Sequence, residues 1–339
     1  MSDVIIRTEG RAGRITLNRP KALNALTWGM CLAIEDALDQ WRDDPAVALI
    51  MIDGAGDRAF CAGGDIADMY ASAKRGDYAY GQRFWRDEYR LNRKIQHYPK
   101  PIVSFLHGFT MGGGVGIGCH ASHRIVADDS RIAMPECGIG LVPDVGGSLL
   151  LARAPGFTGT YLGLTGSRMD AGDAIFAGFA DHYIPAQDWD GVKAGLVAGD
   201  LDAIKARPAP PSDLAAWQAE IDVLFSGDNV ADIHAALHDA PGPAAEKARK
   251  LISANAPLAM AVAVRIIALV RQDPRIETAL DHEYRYTHRA AAQGDFIEGI
   301  RAAIIDKDRA PKWQNYGPAD VAAMTAPLGA KALIWEDET

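Results

Sequence analysis

The chain has 339 residues, 48% of them hydrophobic, and a formal net charge of −9 at pH 7. This allows one large core, or a core with an appended domain, and the acidic balance excludes a general nucleic-acid binder. No apolar run is long enough to span a bilayer, and the four cysteines (Cys31, Cys61, Cys119, Cys137) lack CxxC or zinc-like spacing, so reduced, buried thiols are expected.

The N-terminal MSDVIIRTEG has neither signal-peptide charge nor transit-peptide character, so a cytoplasmic protein with no membrane association is the expectation. Val4–Thr8 and Arg14–Leu17 read as short strands around the turn GRAG. Thr27 is placed to N-cap a helix to about Arg42, with Met30, Ile34, Ala37, Leu38 and Trp41 on one face. The apolar run Ala48–Ile52 suits a buried parallel strand. GAGDRAFCAGGD reads as a loop, followed by helices over Ile66–Lys74 and Tyr80–Gln96. Ile102–Leu106 and Arg124–Ala127 read as strands, with a glycine-rich helix start at Gly112–Cys119 between them.

Strand–helix alternation to about residue 185 predicts an α/β fold with parallel strands. Beyond it, helices are expected at Asp190–Lys205, Asp213–Phe225, Val230–His238, Ala244–Ala254, Leu258–Arg271, Arg275–Ala291 and Asp295–Ile305. Pro257 suits a helix start. This divides the chain into a core over 1–190 and a helical region over 191–339, with a Pro/Ala-rich connector around 206–213.

Three segments can carry chemistry. In FCAGGDI, two glycines precede Asp65 at a strand-to-helix junction and could aim the Gly64 amide into a pocket; a glycine turn with a helix cap is the plainer alternative. In HGFTMGGGVG, glycines at a helix start offer free N–H groups to an oxyanion, or allow close packing. No GK[ST] follows, so it is not a P-loop, and the GxGxxG spacing of a dinucleotide site is missing. In MPECGIGLVPDVGG, Glu136 and Asp144 lie eight residues apart among apolar and glycine neighbours. Two like charges in one pocket raise one pKa, which makes an acid and a base from the same residue type. Asp144 as a simple helix cap is the competing view. His120 and His123 lack further ligands for a metal, and Cys61 and Cys119 lack a histidine partner.

Taken in order, LNRPKALNALT, FCAGGDI and HGFTMGGGVG resemble the signature blocks of the crotonase (enoyl-CoA hydratase/isomerase) superfamily, and the likeness spans essentially the whole chain. The resemblance implies a spiral of ββα units with a helical C-terminal region, an acyl-CoA substrate and assembly into homotrimers or hexamers. It further implies a thioester oxygen held by two backbone amides, which by motif position are those of Gly64 and Gly113. Coenzyme A enters as part of the substrate, and no separate cofactor or metal is implied. RDEYRLN with Glu88, TMGGGVG, MPECGIGLVPDVGG and EGIRAAIIDKDRAPKW point to the branch hydrolysing short branched 3-hydroxyacyl-CoA thioesters such as 3-hydroxyisobutyryl-CoA. On that pattern Glu88, Gly113, Glu136 and Asp144 contact substrate or act in catalysis, and Asp65 is a further substrate-binding candidate. Hydratases of the superfamily carry a second glutamate where this chain has Gly116, so water addition to an enoyl-CoA lacks one of its carboxylates. A lyase or isomerase, or a non-catalytic acyl-CoA-binding protein, is the alternative. Lys21, Arg58 and Lys307 are candidate partners for the CoA phosphates.

Overall fold

The computed structural model describes residues 2–335. They form two compact units made of interleaved segments. One comprises Met1–Gly64, Leu91–Ala133 and Arg168–Asp213, the other Asp65–Arg90, Met134–Ser167 and Leu214–Thr339.

The first unit holds both sheets. Its strands are β1 (Val4–Glu9), β2 (Ala12–Leu17), β3 (Leu49–Gly54), β4 (Ala59–Cys61), β5 (Ile102–Phe105), β6 (Phe109–Met111), β7 (His123–Val126), β8 (Arg131–Ala133) and β9 (His182–Tyr183). A six-stranded sheet runs β1-β2-β3-β5-β7-β9, and a three-stranded sheet runs β4-β6-β8. The β1–β2 hairpin is antiparallel and every other pairing is parallel. Three times over, a strand of the large sheet is followed by one of the small sheet: β3 then β4, β5 then β6, β7 then β8. This is the repeating ββ step of the expected spiral. Ala12, Leu49, Met51, Val103, Phe105, Ile125 and Ile184 pack one core with Trp189 and Leu196.

The small sheet is absent from the sequence expectation, which leaves GAGDRAFCAGGD as loop. Each of its strands has three residues, too few for a period of two to emerge beside the glycines. The helix expected over Asp190–Lys205 is shorter. It spans Trp189–Val197 and stops at Gly199, whose φ of +84° ends helical geometry, before a 3-10 turn at Leu201–Ala203. The connector is packed, for Arg207 N donates to Tyr183 O at 2.9 Å and a Cβ on Gly172 would meet Pro211 O at 2.3 Å.

Thr27 does cap α1 (Trp28–Arg42), accepting from Met30 N at 3.2 Å. Within LNRPKALNALT the organising residue is Asn24. Fully buried at φ +56°, it donates to Ala55 O and Ala59 O and accepts from Arg19 N, all within 2.9 Å. It thereby ties the loop to the start of β4.

The second unit is helical. It begins with α2 (Ala67–Lys74) and takes in the first turns of α3 (Ala79–Gln96). Its later helices include α5 (Gly147–Arg153; α4 belongs to the first unit and is described below) and the long pair Pro257–Gln272 and Ile276–Gln293, with Pro257 at a helix start as expected. The core is aromatic: Trp85 lies against Phe296 (5.5 Å between centroids), Tyr161 against Phe225 (5.3 Å) and Tyr89 against Tyr284 (6.1 Å).

Because Asn24 leaves three buried backbone groups unpaired when truncated, Asn24→Ala should destabilise the fold by about 2–3 kcal/mol. Chemical denaturation measures this, and a loss under about 0.5 kcal/mol would show that the loop is held by other means.

Candidate active site

In the first unit, Gly64 and Gly113 follow the ends of adjacent parallel strands, β4 and β6. α4 (Gly113–Gly118) begins one residue after Gly112 at φ +48° and ψ −120°, and Gly64 follows Gly63 at φ +118°. Only glycine takes such angles without strain. The two junctions adjoin. A Cβ on Gly114 would lie 2.2 Å from Cys61 O, and one on Gly63 would lie 3.6 Å from Met111 O. Gly63 O accepts from Leu26 N at 2.9 Å. Among the described residues neither the Gly64 nor the Gly113 amide donates to a protein acceptor. Both are therefore available to an oxygen from outside the chain.

The second unit brings the acids together. Glu136 opens a 3-10 turn over Glu136–Ile139, and Asp144 lies on the loop entering α5. Glu88 lies on α3, and the fourth member, Glu283, on the helix Ile276–Gln293. All four are buried. Burial pushes Asp144 up to about 7, although Tyr89 Oη donates to its Oδ2 at 2.8 Å. Burial, then the neighbouring Asp144, holds Glu88 and Glu136 well above the ordinary carboxylate range. Glu283 is pushed by burial to about 8 despite its hydrogen-bond donors. No cation stands among the influences given for any of the four. Glu88 Oε1 and Glu136 Oε2 are buried without a protein partner. Such atoms mark where a ligand's polar groups fit.

Asp144 thus titrates near neutrality, and burial together with Asp144 pushes Glu136 towards its protonated form. The helix-cap view of Asp144 does not hold, because α5 is capped by Gly146 without a side-chain bond. Asp65 is half-buried and precedes Ile66, the N-cap of α2. Lys21 and Arg58 in the first unit, and Lys307 in the second, are exposed. All four cysteines are buried and outside any disulfide.

Sequence reasoning missed Tyr89, Glu283 and Ser148. Glu283 left a trace. With Ile276, Ala279, Leu280 and Thr287 it occupies the buried stripe of its helix, where a carboxylate is out of place.

Residues 12–326 match the family model described as Enoyl-CoA hydratase/isomerase. The chain belongs to the enoyl-CoA hydratase/isomerase family. Among curated members, 3-hydroxyisobutyryl-CoA hydrolase, mitochondrial, from Rattus norvegicus is 38% identical over 338 residues, covering 96% of this chain and 86% of the relative. The Homo sapiens protein of the same name is 36% identical over 342 residues, covering 95% and 86%. A solved enoyl-CoA hydratase from Rhodobacter sphaeroides 2.4.1 superposes with a TM-score of 0.96 at 55% identity, covering 98% of this chain and 100% of that one. A carnitinyl-CoA dehydratase from Mycobacterium thermoresistibile gives 0.95 at 43% identity, with both chains fully covered. The spiral expected from the resemblance is therefore the family's fold in this chain. No helix among the described residues is long and apolar enough to cross a membrane.

A carboxyl with an ordinary pKa of 3.8 and a folded value of about 7 binds its proton more tightly when folded. Its burial costs nothing below about pH 4 and costs stability progressively as pH rises to 7. Asp144→Asn should therefore be more stable than the native chain at pH 8, by roughly 2–4 kcal/mol, with the difference fading towards pH 4. Urea unfolding at both pH values measures it. A variant less stable at pH 8 would mean that the carboxylate is compensated.

Proposed function

We propose that this chain is an acyl-CoA thioesterase acting on a short branched 3-hydroxyacyl-CoA, with 3-hydroxyisobutyryl-CoA of valine breakdown as its substrate. The names of the curated relatives support the substrate, and the unequal acid pair supports the chemistry. Water attack on a thioester puts negative charge on the carbonyl oxygen, which two preorganised amides, Gly64 and Gly113, are suited to receive. Each such donor is worth roughly 3–4 kcal/mol of barrier. Asp144, the member that ionises near neutrality, takes a proton from the attacking water or attacks the acyl carbon itself. Glu136, held towards its protonated form by burial and by Asp144, gives a proton to the departing CoA sulfur. The products are the 3-hydroxy acid and free CoA thiol, so atoms and charge balance with one water consumed. Glu88 has an oxygen without a protein partner to pair with the substrate's 3-hydroxyl, and Asp65 belongs to the substrate-binding set. Lys21, Arg58 and Lys307 are proposed for the CoA phosphates.

Buried thiols suit a reducing compartment, and the cytoplasm is the proposed one. A homotrimer or hexamer is the assembly proposed from the family likeness. The superposing structure named as an enoyl-CoA hydratase supports a second reading, water addition to an enoyl-CoA, against which Gly116 counts.

One assay separates the two. With 3-hydroxyisobutyryl-CoA the native chain should release thiol, and Glu136→Gln should lower kcat by about 100-fold or more. Crotonyl-CoA should give neither thiol nor hydrated product at a comparable rate. Hydration of crotonyl-CoA without thiol release from either ester would overturn the thioesterase reading.

A further inference from the structure

Asp144 enters a turn that the backbone does not favour. Val145 follows at φ +55° and Gly146 at φ +76°. A β-branched residue in the left-handed region is a true outlier, costing on the order of 1–3 kcal/mol, and persists only where its surroundings over-determine it. Val145 is fully buried, so solvent does not impose the conformation.

Gly147 N donates to Asp144 O across the turn at 2.7 Å, and one side-chain carboxyl is bonded to it as well. Glu283 Oε2 accepts from Gly146 N at 2.8 Å, and Glu283 Oε1 accepts from Ser148 N at 3.0 Å and from Ser148 Oγ at 2.5 Å. Three donors on one five-residue stretch thus converge on one side chain from a distant helix. The residue that stretch presents is Asp144, whose carboxyl also accepts from the Tyr89 hydroxyl, itself 3.3 Å from Thr287 Oγ1. Thr287 lies one turn beyond Glu283 on the same helix. Glu283 makes no contact that the proposed chemistry uses.

We infer that Glu283 is a positioning residue for this reaction: its carboxylate holds the strained Val145–Gly146 turn and so fixes the direction in which Asp144 presents its carboxyl. The inference rests on the thioesterase reading for its kinetics but not for its geometry. Asp144, Glu136 and Tyr89 are the titratable groups that share its surroundings.

Glu283→Gln keeps the volume but leaves one acceptor oxygen, so an amide NH₂ must face either the Gly146 N–H or the Ser148 donors. With 3-hydroxyisobutyryl-CoA, kcat should fall at least tenfold while KM stays within twofold. Glycine adopts the turn without strain, so Val145→Gly placed in the Glu283→Gln background should recover at least fivefold in kcat. A kcat within twofold of native overturns the inference, and so does a loss that Val145→Gly leaves unchanged. A native chain that releases no thiol sinks the thioesterase reading instead. The inference is then decided by a crystal structure of Glu283→Gln: Val145 should leave positive φ, and a turn that keeps its geometry contradicts it.

Discussion

The constraint on which the rest turns is the burial of four carboxyl groups in the helical unit, none of which forms an ion pair among the described residues. Desolvation drives all four towards the neutral form, and the charge of Asp144 adds to it for Glu88, Glu136 and Glu283. Most buried acids in proteins are paired with a base or a metal. Here, hydrogen bonds from Tyr89, Ser148 and two amides do part of that work, and they do it unequally. Asp144 is left titrating near 7, while burial and Asp144 push Glu136 towards its protonated form. An acid and a base thus come from two side chains of similar chemistry, through differences in surroundings alone.

The sheet-bearing unit answers a different problem, how to present main-chain amides rather than side chains. Parallel β4 and β6 end side by side, glycines at positive φ turn the chain at both ends, and Gly114 lets α4 approach Cys61 O more closely than any side chain would permit. Glycine costs conformational entropy, and Asn24 offsets part of it by fastening the preceding loop to β4 with side-chain hydrogen bonds. The donors are thereby held before any ligand arrives, which is the condition for electrostatic preorganisation.

Much of this was legible beforehand. Thr27 as a cap, the buried run at β3, the helical second half and the glycine junctions all follow from local rules, because each is decided within a few residues. The pairing of Glu136 with Asp144 was also visible, as two acids in an apolar stretch. The small sheet was not, since three-residue strands carry no period and exist only by virtue of their neighbours. Glu283 was hidden for another reason. Its partners lie some 135 residues away in the chain, and only the charge on an otherwise apolar helix stripe hinted at a role. The strain at Val145 has no sequence signal, because nothing local calls for a left-handed valine.

The most direct test of the buried, uncompensated acids is an infrared titration of the carboxyl C=O stretch in native protein and in Asp144→Asn. Protonated carboxyl bands should persist at pH 7, and one of them, missing in Asp144→Asn, should titrate near that pH. Complete ionisation of every carboxyl by pH 6 would contradict the central claim, because the acids would then be compensated and Glu136 would hold no proton to give.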